Sequence, residues 1–314
     1  MICVKMNFDS KIFVAGHRGL VGSAIVRLLE RNGYLNIITS SRNEVDLRNE
    51  STTLKFFETV KPEYVFIAAA HCGGIGDTIK NPVQYLENNL KIQTSIIASS
   101  YKTNAKKLML IGSASVYPRD AKNPIKEESL LDGKLEHVNE SYGMAKIVGI
   151  KLCQSYNKQY GTNYISVNPC NVYGPGDNFN PDSSHVIAGL IRRIHEAKKN
   201  NKEYVECWGT GNARREFIYV EDLADALLFL MNHYDDSEVI NVGVGEDISI
   251  KELVEHIVNV IEYSGEIKWD ISKPEGIKQR LLDTEKLNNL GWKPKVSINQ
   301  GLQPTYDYFK LEEK

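Results

Sequence analysis

The chain has no excess of either charge, no paired cysteines, no long apolar run and no internal repeat. Its 314 residues carry 38 lysines and arginines against 40 acids, a formal net charge of −2. Nothing therefore draws the chain as a whole to nucleic acid or to an anionic membrane. An anionic ligand must be held locally, by arginines and backbone N–H groups. The five cysteines (Cys3, Cys72, Cys153, Cys170 and Cys207) are odd in number and scattered without a CxxC pair. That excludes a disulfide framework or a zinc site and fits a reducing compartment. The histidines are equally dispersed, with no HxxxH pair, and no metal is expected. The opening "MICVKMNFDS" is too short and too polar for a secretory leader, and no stretch approaches a membrane span. A cytoplasmic protein is the expectation.

What is present is rhythm. Hydrophobic content of 42% and charged content of 25% are ordinary for a globular chain. Short apolar runs at 11–15, 36–40, 64–68, 107–111 and 164–168 alternate with longer amphipathic stretches. In one of these Val21, Ile25, Leu28 and Leu29 share a face that stops at Gly33. Such alternation predicts an α/β fold, and strands unbroken by polar residues suit a parallel sheet covered on both faces. We expect a Rossmann-type doubly wound sheet over 11–178, with 215–244 returning to it. Past "NVYGPGDNFNP" the pattern changes, and 179–314 reads as a smaller, mixed substrate domain. There Ser249 is the expected N-cap of a helix with apolar residues at 250, 253, 254, 257 and 258.

"VAGHRGLVG" places Gly16, Gly19 and Gly22 between the first strand and the first helix. Glycines there permit a tight turn and let backbone N–H groups approach a pyrophosphate at the helix N-terminus. The GxxGxxG spacing is similar to that of short-chain dehydrogenases/reductases. At the end of the second strand, where NAD-preferring proteins place an acid for the ribose 2′-hydroxyl, the run is Thr39-Ser40-Ser41-Arg42, with no acid before Glu44. Ser41, Arg42 and Arg18 leave room and charge for a 2′-phosphate, so NADP(H) is the expected cofactor. The plainer reading of Arg42 is a solvated surface arginine.

"NESYGMAK" puts Tyr142 and Lys146 one helical turn apart on one face. A free phenol has a pKa of roughly 10. A nearby ammonium stabilises phenolate and is expected to bring it toward the working range. Ser113 opens "GSASVYP" directly after the fourth strand, where it can hydrogen-bond the same carbonyl oxygen. Together Ser113, Tyr142 and Lys146 form the acid/base group of a carbonyl–alcohol interconversion, with hydride from a nicotinamide.

Taken together, the glycine turn, "YPRD", "YGMAKIVGIKLCQSYNKQYG", "NVYGPGDNFNP", "SSHVIAGLIRRIHEA", "WGTGNARREF" and "RLLDTEKLNNLGW" resemble the GDP-L-fucose synthase group of extended short-chain reductases. The likeness runs from about Lys11 to the C-terminus. It implies a homodimer that reduces a GDP-linked 4-keto sugar with NADPH after inverting C3 and C5 with a cysteine and a histidine. It assigns Ser113, Tyr142 and Lys146 to reduction and His185 to epimerisation. It places Gly16, Arg18, Gly19, Leu20, Val21 and Gly22 on the dinucleotide, with Ser41, Arg42 and Ala69. Tyr142, Lys146, Pro169, Asn171, Val172 and His185 complete that site at its nicotinamide end. Substrate contacts fall to Asn171, Arg193, Trp208, Arg215 and Arg280, the arginines gripping the diphosphate as fork-shaped donors. The plainer readings are an exposed helix residue for Arg193 and a core residue for Trp208.

One position departs from the pattern. The family's epimerisation cysteine falls where this chain has Ser115. A thiol ionises near neutrality, whereas an alkyl hydroxyl does not without a dedicated base. The reductive machinery is complete, and epimerisation is expected to be lost. Cys72 in "HCGGI" can lie near the pocket, and its plainer reading is a small packed residue. The reading is thus a C4 reductase of a GDP-4-keto hexose or heptose, serving nucleotide-sugar synthesis for surface glycans. The competing readings are a bifunctional GDP-L-fucose synthase and a nucleotide-binding protein without chemistry.

Overall fold

The computed structural model describes residues 5–272 and 276–313; Cys3 lies outside them. Strand and helix alternate through β1 (Lys11–Ala15), α1 (Leu20–Arg31), β2 (Asn36–Ile38), α2 (Glu50–Val60) and β3 (Tyr64–Ile67). They continue with α3 (Ile75–Lys80), α4 (Pro82–Lys102), β4 (Lys107–Ile111), α5 (Glu140–Tyr160), β5 (Tyr164–Pro169) and β6 (Asn171–Tyr173). Next come α6 (Val186–Lys199), β7 (Tyr204–Trp208), β8 (Arg214–Arg215), β9 (Phe217–Tyr219), α7 (Val220–His233) and β10 (Ile240–Val242). The chain closes with β11 (Ile248–Ser249), α8 (Ile250–Ile261), β12 (Glu266–Asp270), β13 (Gln279–Arg280), α9 (Glu285–Asn289) and α10 (Ile298–Glu312).

Six strands form one parallel sheet in the order β2-β1-β3-β4-β5-β10. Helices α2, α4 and α5 pack side by side, and α1 pairs with α7. Both faces are thereby covered, and β3, β4 and β5 are buried along their whole length. The order reverses between β1 and β3, the crevice where open α/β sheets bind ligands at the strand C-termini. The second strand is shorter than its apolar run, since β2 is an edge that pairs only with β1, up to Phe13 opposite Ile38.

A second core gathers Ile187, Leu190 and Ile194 of α6, Leu253, Val254 and Ile257 of α8, and Leu302 and Phe309 of α10. Ser249 caps α8 through a capping box with Glu252. The two halves interleave. Strand β10 joins the main sheet and α7 covers it, while Leu282, Leu287 and Trp292, placed by sequence in the second domain, pack into the first core. The reason is apolar: these side chains find the open flank beside β10, against which α9 rests.

Candidate active site

The glycine turn is built for close approach. Gly16 has φ +86, and a Cβ on it would meet the backbone N of Ala69 at 2.6 Å. A Cβ on Gly22 would sit 2.1 Å from the Gly16 carbonyl oxygen. Gly19 caps α1 with no side-chain hydrogen bond, leaving the first-turn N–H groups facing the crevice, with the partly exposed Leu20 and Val21 beside them. Such a cradle fits a pyrophosphate. Arg18 and Arg42 are exposed and make no hydrogen bond or ion pair among the described residues, as a 2′-phosphate site requires. Glu44, the first acid beyond β2, is drawn back by the Ser41 N–H at 2.7 Å and hydroxyl at 2.8 Å. Its carboxyl lies below its usual range for that reason, with Arg18 adding to the effect. The residues present fit a phosphorylated dinucleotide.

Beyond β4, Ser113 caps a short turn by accepting the Ser115 N–H at 3.1 Å, and its hydroxyl lies 3.2 Å from that of Ser115. Gly112 lets the strand end press on Asn168, whose side chain receives the Ser113 N–H. Tyr117 is fully buried and donates to Asn241 Oδ1 at 2.6 Å, so its hydroxyl is spent on packing. Tyr142 and Lys146 lie in the first turns of α5, near the crevice. Lys146 is buried and donates to the Ile111 carbonyl at 2.7 Å, with its ammonium 5.6 Å from the Tyr142 ring centre. Burial lowers it to about 8, against the pull of Cys72. The phenol departs from expectation. Burial first, then the charge on Cys72 and its hydrogen bond, with Tyr85 adding to them, drive Tyr142 well above its ordinary pKa.

Cys72 is not a packed residue. It is exposed, and its Sγ lies 3.6 Å from Nε2 of His185, the N-cap of α6. Glycines bring the two together. The Gly74 N–H donates to the Ser183 carbonyl at 2.8 Å, and a Cβ on Gly74 would meet the Ser184 carbonyl oxygen at 2.3 Å. On the other side buried Asn89 clasps His71, accepting its N–H at 2.8 Å and donating to its carbonyl at 3.0 Å. Crowding acts to raise the Cys72 thiol, but His185, Lys146 and Tyr142 outweigh it and the thiol is lowered. For His185 the same crowding is overcome by Cys72 and by Asp177, which raise the imidazole to about 9. Across the 3.6 Å contact each group favours the charged form of the other. Asp177 itself, pushed up to about 6 by burial against the pull of His185, keeps Oδ2 without a hydrogen-bond partner. Sequence reasoning missed the Cys72–His185 contact; the glycine pair after Cys72 was the available signal.

Arg215 and Arg280 stand opposite each other in the parallel pair β8–β13. Burial, then the neighbouring Arg215, lower Arg280 to about 10, against the pull of Glu136. Arg280 also donates to the Ala114 carbonyl and, at 3.4 Å, to that of Pro118, so it braces the loop of Ser113 and Ser115. Arg193 is half-buried and ties α6 to β7 through the Gly189 and Glu206 carbonyls, each at 3.3 Å. Trp208, at the end of β7, is 59% exposed, too open for a core residue. Asn171 donates to the Glu216 carbonyl at 2.9 Å, with Val172 following it and Pro169 buried at the end of β5.

A parallel sheet with a glycine cradle at its switch point and a Ser–Tyr–Lys group beside it defines a nicotinamide-dependent oxidoreductase of the extended short-chain dehydrogenase/reductase type. The model of the NAD dependent epimerase/dehydratase family matches residues 12–243, and the chain belongs to that family. GDP-L-fucose synthase 1 of Arabidopsis thaliana is 48% identical over 301 residues, covering 96% of this chain and 93% of its own. GDP-L-fucose synthase of Escherichia coli K12 is 42% identical over 308 residues, covering 95% and 96%. Among solved structures, a GDP-6-OMe-4-keto-L-xylo-heptose reductase from C. jejuni matches with a TM-score of 0.94 at 37% identity, over 98% of this chain and 100% of that one. MlghC, a GDP-mannoheptose C4 reductase from Campylobacter jejuni with NADP bound, matches at 0.89 and 37%, over 97% and 99%.

Proposed function

We propose that the protein is an NADPH-dependent C4 reductase of a GDP-4-keto sugar, hexose or heptose. What supports this reading is Lys146, whose ammonium lies 5.6 Å from the Tyr142 ring centre and donates to the Ile111 carbonyl at the end of β4, two residues before Ser113, while Arg280 braces the same loop at the Ala114 carbonyl. NADPH supplies the hydride to C4. Tyr142, kept protonated by its surroundings, gives its proton to the nascent alkoxide while the Ser113 hydroxyl holds the same oxygen. Lys146 orients the nicotinamide ribose and presents its charge to the phenol. Gly16, Gly19 and Gly22 take the pyrophosphate, and Arg18, Ser41 and Arg42 the 2′-phosphate. Ala69, Asn171 and Val172 line the path toward the nicotinamide.

Residues 11–178 with 215–244 form the cofactor half and the rest of 179–314 the sugar-nucleotide half, with Asn171 and Arg215 reaching the substrate from the first. Arg215 and Arg280 hold the diphosphate and Trp208 offers a stacking face to the base, with Arg193 alongside. Ser115 cannot replace a thiol as carbon base, so inversion by that position is lost. The enzyme acts as a cytoplasmic homodimer in nucleotide-sugar synthesis for surface glycans. Its mass in solution checks the dimer.

The direct test follows NADPH oxidation with GDP-4-keto-6-deoxymannose and with a GDP-4-keto-heptose, in wild type and Tyr142→Phe. Oxidation with one of them, lost in the variant, is the expected result. NADPH binding with no NADPH oxidation in the presence of either sugar would leave a nucleotide-binding protein without chemistry and end the reductase reading.

A further inference from the structure

Cys72 and His185 take no part in the hydride and proton transfers of reduction. They are separated by 113 positions in sequence, yet Sγ and Nε2 stand 3.6 Å apart, and the Tyr142 hydroxyl also reaches the sulfur. The placement is prepared. Gly73 and Gly74 admit the backbone of 183–184, Asn89 fixes His71, and the Tyr85 hydroxyl, donated to Asp77 Oδ2 at 2.7 Å, locks the following turn. Tyr142 marks where a ketone oxygen sits during reduction. The carbons flanking that ketone lie two bonds from this oxygen, within reach of a sulfur that already touches the phenol.

We propose, on the GDP-4-keto sugar reading above, that Cys72 and His185 form an acid/base pair that removes and returns a proton on a carbon next to the C4 ketone. The thiol absent at position 115 is thus supplied from the loop after β3. In the step, the Cys72 thiolate takes the proton, the C–H electron pair becomes a C=C bond to C4, and the C=O pair moves onto oxygen. Tyr142 and Ser113 hold that oxyanion. The His185 imidazolium returns a proton to the carbon and the ketone re-forms, with no net oxidation. Transfer of the thiol proton to the neutral imidazole across their contact resets the pair. The charged or titratable groups facing the sulfur are His185, Lys146, Tyr142 and Tyr85, and Asp177 stands behind the imidazole. The cations among them favour thiolate, as carbon-acid chemistry near neutrality requires.

The test uses the intact protein and GDP-4-keto-6-deoxymannose in deuterated buffer, without and then with NADPH, followed by mass spectrometry of the sugar after borohydride reduction. Exchange is the readout because it registers proton removal whichever face the proton returns to. Wild type is expected to place non-exchangeable deuterium on carbon well above an enzyme-free control, and Cys72→Ala and His185→Gln to lose about 100-fold of that rate. A product free of carbon-bound deuterium, or wild-type exchange in Cys72→Ala, overturns the proposal. NADPH oxidation without exchange removes this inference and keeps the reductase; exchange without oxidation does the reverse. A second measurement needs no substrate. Iodoacetamide should alkylate Cys72 at pH 6 about 10-fold faster in wild type than in His185→Gln, and equal rates would refute the ion pair.

Discussion

A phenol that stays protonated is a good acid only if something steadies the oxygen after the proton leaves, and Lys146 is the cation placed to do so. Its burial, the larger influence, brings it to about 8, below the ordinary lysine value. The ammonium is therefore full below that pH and is lost as pH rises through it. We expect NADPH-dependent reduction to fall about tenfold per pH unit above roughly 8. Tyr142→Phe should lower it by about 10²–10⁴-fold at every pH. A pH–rate profile of both proteins checks the pair, and a flat alkaline limb in wild type would remove Lys146 from the role. Tyr142 and Lys146 were legible because one helix turn joins them, and Ser113 because it ends a strand. Cys72 was not, since its meeting with His185 is made by two loops from different halves of the chain. No local pattern encodes such a meeting. Residue 115 alone pointed to a loss of carbon-acid chemistry; the surroundings of residue 72 reopen the question.

Element by element, α1 depends on how closely its first turn can approach β1. Gly22→Ala sets a Cβ 2.1 Å from the Gly16 carbonyl oxygen, so the helix must withdraw from the turn. A cost of about 1–3 kcal/mol is expected, as for other overpacked positions, together with weakened NADPH binding. At Gly19 the nearest atom to an added Cβ is 3.5 Å away and φ is −82, so Gly19→Ala should leave stability within about 0.5 kcal/mol of wild type. Urea denaturation and NADPH fluorescence titration separate the two, and equal stabilities would contradict the packing account. The same element shows what sequence can reveal. The face of Val21, Ile25, Leu28 and Leu29 and the stop near Gly33 are periodic signals, and Ile25, Leu28 and Leu29 are buried as that face requires. The departure of α9 to the first core is not periodic. Leu282, Leu287 and Trp292 go where an open flank exists, and only the assembled sheet creates it.

Across the whole molecule, one carboxylate fastens the two halves together. Glu216, 1% exposed, accepts the Val244 and Gly245 N–H groups at 2.7 and 2.8 Å on Oε1 and the Leu282 N–H at 3.0 Å on Oε2. It joins the strand after Arg215, the loop after β10 and the segment after Arg280, so the spacing of the arginine pair rests on it. Glu216→Ala leaves three buried donors without an acceptor and should cost on the order of 3 kcal/mol. It should also raise KM for the sugar nucleotide more than it lowers kcat, because it loosens binding geometry rather than the reacting groups. Burial, ahead of the opposing N–H bonds and with Asp247 adding to it, raises its pKa above 4.5. An acid whose pKa is higher in the fold than in the unfolded chain contributes its full stability below 4.5. It loses that contribution as pH rises through the folded value. The advantage of wild type over Glu216→Gln in unfolding free energy should therefore shrink on going from acid to neutral pH. A growing advantage, measured by urea melts across that range, would mean that the three N–H groups rather than burial govern the carboxylate.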